Sequence, residues 1–178
     1  MLALINFLSL SRIFIGMLIF TFLMLDSYLF LLLFLFIFAG LSDYFDGLLA
    51  RKYNATSTFG EVIDPIADKI LIIFIFFGLA LNLSSYLIGF AASLIISREI
   101  WVSALRDLNA RKNNTNATKV MYIAKIKTTA QLFTILIYLI GLSFSNMLLI
   151  VIGDILIIIS LLITLYTGFI YTINTFNN

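Results

Sequence analysis

The chain has 178 residues, of which 62% are hydrophobic and only 11% charged, against roughly 25% charged in an average soluble domain. Its formal net charge is +2, and it contains no cysteine and no histidine. These facts exclude a soluble globular enzyme, a disordered chain, a strongly basic nucleic-acid surface, disulfides and thiolate–zinc sites, a serine–histidine–aspartate triad and a histidine-held metal. Acid–base or metal chemistry would fall to carboxylates. A membrane-crossing helix takes about 20 apolar residues, so the roughly 110 here are enough for five or six.

In chain order, six hydrophobic segments are predicted as transmembrane helices, at about 4–25, 28–50, 61–82, 85–106, 121–143 and 147–172. The first segment lacks a basic leader and a small-residue cleavage site, so it reads as a retained span. The connections near 26, 83 and 145 are very short and predict antiparallel hairpins. Those at 51–60 and 107–120 are longer, polar and charged. The fold expected is therefore all-α: a single domain over 1–178, six transmembrane helices, and a polar cavity facing the cytoplasm.

Orientation follows from the cations. Arg12, Arg51, Lys52, Lys69, Arg98, Arg106, Arg111, Lys112, Lys119, Lys125 and Lys127 all fall at one end of such a bundle. The positive-inside rule makes that end cytoplasmic, with both termini beside it. Arg111, Lys112 and Lys119 read as solvated or headgroup-facing loop charges. Asp43, Asp46, Asp64 and Asp68 lie at the same end, inside or at the edge of spans. A carboxylate there is costly unless it is paired or bound to a cation.

The acidic residues are patterned. Asp43, Asp46, Gly47 and Ala50 fall at i, i+3, i+4 and i+7, on one helix face; Gly60, Asp64 and Asp68 fall at i, i+4 and i+8, again on one face. The short link between the two segments makes them antiparallel neighbours, able to place four carboxylates around one cavity. The small residues permit either tight helix packing or close approach of a ligand. An oxygen-only donor set suits a hard cation, Mg²⁺ or Mn²⁺, which keeps open positions for substrate phosphates. Arg51 can add a forked phosphate contact. The combination points to phosphoryl transfer at a membrane surface.

The run Asp43-x2-Asp46-Gly47-x2-Ala50-Arg51-x8-Gly60-x3-Asp64-x3-Asp68 resembles the signature of the CDP-alcohol phosphatidyltransferases at every fixed position. Three further segments resemble the bacterial phosphatidylglycerophosphate synthase branch of that family. They are Asn6-Phe-Leu-Ser9-Leu-Ser-Arg12, Phe59 to Lys69, and Arg98-Glu99-x3-Ser103-x-Leu-Arg106 followed by Lys125-Ile-Lys127-Thr128-x2-Gln131. Ala124, where glycine is usual, and the asparagine-rich stretch 113–118 depart from the branch without touching the acidic motif.

The resemblance implies six transmembrane helices, a homodimer in the bacterial inner membrane, and transfer of a phosphatidyl group from CDP-diacylglycerol to an alcohol with release of CMP. By analogy Asp43, Asp46, Asp64 and Asp68 would hold two Mg²⁺ ions, with Asp64 and Asp68 catalytic and Asp68 the general base. Asn6, Ser9, Arg12, Gly47, Ala50, Arg51, Ser57 and Gly60 would bind CDP-diacylglycerol. The acceptor of that branch is sn-glycerol 3-phosphate, an anion, and Arg98, Arg106, Lys125 and Lys127 are placed to receive its phosphate. Lys69 and Glu99 are expected to pair with neighbours, Trp101 to sit at the membrane interface, and Asp154 to make an interhelical hydrogen bond.

Three alternatives stand beside this reading. One is the same chemistry on serine, inositol phosphate or phosphatidylglycerol. Another is an intramembrane prenyltransferase, for which the chain is short. The last is a small cation transporter, which would place its acids nearer the bilayer midplane.

Overall fold

The computed structural model describes residues 2–53, 58–111 and 122–176, and the side chains among them outside 2–6, 43–53, 58–59, 61–62 and 122–125. Six helices are present among the described residues: α1 (Leu2–Met24), α2 (Leu29–Tyr53), α3 (Thr58–Asn82), α4 (Tyr86–Arg111), α5 (Tyr122–Ser143) and α6 (Met147–Phe176). Among the described residues there is no strand. The predicted segments match these helices to within a few residues, except that the polar ends of α2, α3, α4 and α6 run on past the apolar stretches.

The three short connections are built alike. After α1 the amides of Asp26 and Ser27 return to the carbonyls of Leu23 and Phe22. After α3 those of Ser84 and Ser85 return to Leu81 and Ala80, and after α5 those of Ser145 and Asn146 return to Leu142 and Gly141. This is the Schellman closure, which needs a left-handed residue at its penultimate position. Asp26 (φ 46°), Ser84 (φ 48°) and Ser145 (φ 49°) supply it without a glycine. The next helix then starts at once: the Ser85 hydroxyl accepts from the Ile88 amide and the Asn146 side chain from the Leu148 amide, at 3.3 and 3.0 Å, as N-caps do. Asn82 ties two of these turns together, donating to Leu23 O and Asp26 Oδ1 at 2.9 and 3.0 Å.

The helices close a ring in the order α1, α3, α4, α6, α5, α2, with α3 and α5 also touching across it; α2 and α3, expected as neighbours from their short link, make no contact among the described residues because α1 packs between them. The α1–α3 pair is the most intimate. A Cβ on Gly16 would lie 3.2 Å from Leu71 Cα, and one on Gly78 would lie 2.8 Å from Leu23 Cδ1, so glycine at both positions lets the backbones approach.

Buried apolar residues recur at three and four, as at Ile15, Ile19 and Leu23 on α1 or Ile88, Ala91, Ala92 and Ile95 on α4. This core lies within about eleven residues of the three hairpin turns, roughly 16 Å of helix. Beyond it most buried residues are polar, among them Ser9, Arg12, Ser42, Arg98, Lys127, Gln131 and Thr164, with Ala67 and the small Val102, Leu105 and Tyr171 cluster as the apolar exceptions. The interior is thus graded, apolar toward the hairpins and polar toward the basic end.

The outside is apolar instead. Phe7, Phe14, Phe30, Phe34, Phe90, Phe133, Phe169 and Leu162 are each at least half exposed, a surface no soluble monomer sustains. Described stretches long and apolar enough to cross a membrane occur in α1, α4, α5 and α6; the apolar part described for α2, Leu29–Ser42, is shorter. The chain is a multi-pass membrane protein with four such spans among its described residues, and the expected count of six is not reached on that measure.

Candidate active site

Two polar clusters occupy the basic end, and one cavity joins them. The first is where α1 crosses α3. Ser9 and Arg12, one turn apart on α1, face Asp64 and Asp68, one turn apart on α3. The Ser9 hydroxyl donates to Asp64 Oδ1 and Arg12 Nη1 to Asp68 Oδ1; Arg12 Nη2 lies 3.9 Å from Asp64 Oδ1. Arg12 is fully buried, whereas both carboxylates are 40% exposed. The guanidinium therefore anchors the acids from behind while they remain open in front. Pro65, between them, costs α3 one backbone hydrogen bond.

Exposed carboxylates at i and i+4, in a chain with no softer donor, fit a hard divalent cation. Among the described residues no third acidic group joins them. Asp43 and Asp46 lie on the α2 backbone, but their side chains fall outside the described set. The same holds for Gly47, Ala50 and Arg51 on α2, Asn6 on α1 and Lys125 on α5, and Ser57 lies outside the described residues altogether. Gly60 is buried on α3, one turn before Asp64.

The second cluster centres on Glu99 of α4. Its Oε1 accepts from Lys127 Nζ of α5 and, at 3.0 Å, from Arg98 Nη1. Its Oε2 is 3.9 Å from Lys69 Nζ of α3, which also donates to Ser103 Oγ at 3.0 Å. Arg98 Nη2 donates to Thr167 Oγ1 of α6 at 2.7 Å. Arg106, one helical stretch further on, lies over the Tyr171 ring with its guanidinium carbon 5.1 Å from the centroid, and donates to the Tyr171 hydroxyl at 3.1 Å.

Between the clusters is a cavity of about 370 Å³. Asp68 lines it, with Lys69, Glu99, Arg106, Lys127 and Gln131, while Ile72, Ile73, Ile95 and Ile96 form its apolar wall. The structure thus brings one of the motif aspartates and two of the expected acceptor cations, Arg106 and Lys127, to a single space.

Arg98 is placed differently from the expectation. It stands outside this lining, 6% exposed, with its head group on Glu99 and Thr167. A buried guanidinium needs a counter-charge and hydrogen-bond acceptors; Glu99 supplies the charge and Thr167 of α6 a second acceptor, while Arg98 Nε has no partner among the described residues. Ser9 and Arg12, expected at a nucleotide, likewise direct polar atoms to the α3 carboxylates.

From the sequence Lys69 is expected in an interfacial or pairing role. A turn of about 100° from Asp68 still leaves it on the cavity, because α4 and α5 flank that side of α3. Thr167 was not singled out, although Ser160, Thr164, Thr167, Tyr171 and Thr175 form a buried polar stripe at helical spacing on α6 that the sequence displays.

Away from the cavity, Trp101 Nε1 donates to Thr172 Oγ1 at 2.9 Å. Asp154 makes the expected interhelical bond, accepting from the Tyr138 hydroxyl at 2.7 Å.

Comparison with known proteins bears on what these clusters serve. The chain is 39% identical over 101 residues to a CDP-diacylglycerol–glycerol-3-phosphate 3-phosphatidyltransferase of Pectobacterium atrosepticum, covering 57% of this chain and 56% of that one. It is 40% identical over 102 residues to the protein of that name from Blochmanniella floridana, covering 57% and 54%, and 38% identical over 101 residues to that from Sodalis glossinidius, covering 57% and 56%. The chain spans about half the length of the curated relatives it matches. The sequence profile of the CDP-alcohol phosphatidyltransferases matches residues 2–166, which is most of the helical ring and takes in both polar clusters except their α6 partners Thr167 and Tyr171, and the chain belongs to that family.

Proposed function

We propose that the protein transfers the phosphatidyl group of CDP-diacylglycerol to sn-glycerol 3-phosphate, giving phosphatidylglycerophosphate and CMP. The observation that carries the reading is the shared cavity. Asp68, the proposed base, lines the same space as Lys69, Arg106 and Lys127, so a phosphate held by the cations puts the rest of a small phospho-alcohol near the carboxylate. A neutral acceptor would have no use for three cations.

In this mechanism Asp68 takes the proton of the acceptor's free primary hydroxyl. The oxygen attacks the phosphorus that carries diacylglycerol, the bond from that phosphorus to the CMP oxygen breaks, and CMP leaves. Arg12 orients Asp68 toward the acceptor's hydroxyl by a charge-assisted hydrogen bond. Arg106 and Lys127, with Lys69, fix the acceptor's phosphate, and Arg51 and the small residues of α2 receive the nucleotide. Asp43, Asp46, Asp64 and Asp68 would together hold two Mg²⁺ ions, or Mn²⁺, which when bound neutralise the pyrophosphate and the departing CMP.

The lipid donor requires the cavity to open to the bilayer as well as to water. We place the protein in a bacterial inner membrane as a homodimer, with six spans and with the basic end and both termini cytoplasmic. The clustering of all eleven cations at one end supports that orientation.

The test is CMP release by the purified protein in detergent, supplied with CDP-diacylglycerol, Mg²⁺ and one acceptor at a time, with Asp68→Asn as control. Release with glycerol 3-phosphate alone, lost in the control, is expected. Release with serine or inositol phosphate instead would overturn the acceptor and keep the site.

A further inference from the structure

We infer that Glu99 is a positioning residue that sets the geometry of the anion-accepting lysines Lys127 and Lys69 beside Arg106, and that Arg98 acts on the cavity only through it. The inference rests on the proposed phosphorylated acceptor.

Glu99 ties three helices at one carboxylate. Its Oε1 takes Lys127 of α5 and Arg98 of its own α4, and its Oε2 faces Lys69 of α3. Arg98 has no freedom to serve the cavity itself. One Nη is on Glu99 and the other on Thr167, and the Gly168 backbone is so near that a Cβ there would lie 2.8 Å from Arg98 Cγ. It fixes the carboxylate from behind.

The lysines keep capacity in front. An ammonium has three donors, and Lys127 spends one on Glu99, leaving donors for a ligand. The charges also match. Three lining cations less one lining glutamate leave a residual of +2, Asp68 being set against Arg12. A phosphomonoester carries close to −2 at neutral pH. Without Glu99, four cations would face one another in a poorly solvated space, and the flexible lysine stems would carry their charges toward water.

The experiment compares acceptor kinetics and equilibrium binding of glycerol 3-phosphate for the full chain in nanodiscs. The variants are Glu99→Gln, Glu99→Asp, Lys127→Ala and the Glu99→Gln/Lys127→Ala double. If Glu99 positions the lysines, Glu99→Gln raises the acceptor KM and Kd by at least about tenfold, the lower end of the scale for losing a charged hydrogen bond. The KM for CDP-diacylglycerol and kcat stay within about twofold. Because Glu99 works largely through Lys127, the double variant is no worse than Lys127→Ala alone by more than about twofold, whereas independent structural damage would multiply. Glu99→Asp keeps the charge but is one methylene short of its partners. It gives an intermediate KM and decides the matter should the amide variant not fold.

An unchanged or lowered acceptor KM in Glu99→Gln, or a multiplicative double variant, overturns the inference and leaves the proposed function intact. A wild-type protein that uses a neutral alcohol and not glycerol 3-phosphate overturns both. If the wild type uses a different phosphorylated alcohol, the same series read with that alcohol decides the inference.

Discussion

Gly168→Ala tests the packing behind the cation cluster with a single methyl group. The added Cβ would stand 2.8 Å from Arg98 Cγ and 3.1 Å from Nε, where unstrained contacts are about 3.5–4.0 Å. Arg98 must withdraw by roughly 0.7 Å to clear it. Its head is held at 3.0 Å by Glu99 and at 2.7 Å by Thr167. A retreat of that size takes the Thr167 contact past the ~3.2 Å range of a good hydrogen bond or pulls Arg98 from Glu99.

Overpacking typically costs about 1–3 kcal/mol, and losing a charged hydrogen bond costs about 1.5–3 kcal/mol. The shift relieves the first by incurring the second, so the two do not add; of a loss of about 2 kcal/mol, alanine's helix propensity returns up to about 1 kcal/mol, and we expect a net loss of about 1–2 kcal/mol. Denaturant unfolding of the purified protein reads the loss of stability, and CMP-release kinetics read an accompanying rise in acceptor KM. Gly40→Ala on α2 is the internal control, since a Cβ there meets nothing within 4 Å. It should be neutral or stabilise by up to about 1 kcal/mol through helix propensity. If Gly168→Ala matches wild type in both stability and acceptor KM, the description of Arg98 as a pinned support is wrong.

Other expectations concern the acids and the far end of the bundle. Asp68→Asn should lower CMP release by at least about 100-fold while leaving the helical circular-dichroism spectrum unchanged, as removal of a general base does. Chelation with EDTA should abolish release and Mg²⁺ should restore it; full activity in chelator would end the carboxylate–metal reading. Tyr138→Phe strands Asp154 without its 2.7 Å donor and should cost about 1 kcal/mol of stability. Because this pair belongs to the apolar end, acceptor KM should not change, and a raised KM would show that the two ends are coupled.

Much of the architecture was legible because it is dictated by hydropathy and by turn length. Segments such as 147–172 are too apolar to be anything but buried in lipid or protein, and connections of two or three residues can only reverse the chain. Asp64 and Asp68 were legible as one face because their spacing is helical. The ring order was not. Nothing local in α1 distinguishes packing on α3 from packing on α2, except Gly16 and Gly78, whose complementarity is visible only once the helices are paired. Nor could spacing decide which cations face the cavity. Arg98 and Arg106 lie eight residues apart and near one face, yet Arg98 meets Glu99 and Thr167 while Arg106 reaches the cavity beside Tyr171.

That difference has a physical origin that also explains Arg12. A guanidinium deep in a helical ring within a bilayer is tolerable only with a carboxylate and donors' partners around it. The deeper arginines, Arg12 and Arg98, are therefore committed to acids, Asp64 with Asp68 and Glu99 respectively. Arg106 lies two helical turns nearer the polar end of α4 and is satisfied by a neutral ring and hydroxyl, so its charge is uncancelled where an anion would enter. Counting basic residues overstates the anion site; depth decides which of them neutralise the protein's own acids and which remain to meet a substrate. By that criterion Arg12 and Arg98 shape the carboxylates, Arg106 keeps its charge whole, and Lys69 and Lys127, which line the same cavity, share theirs with Glu99.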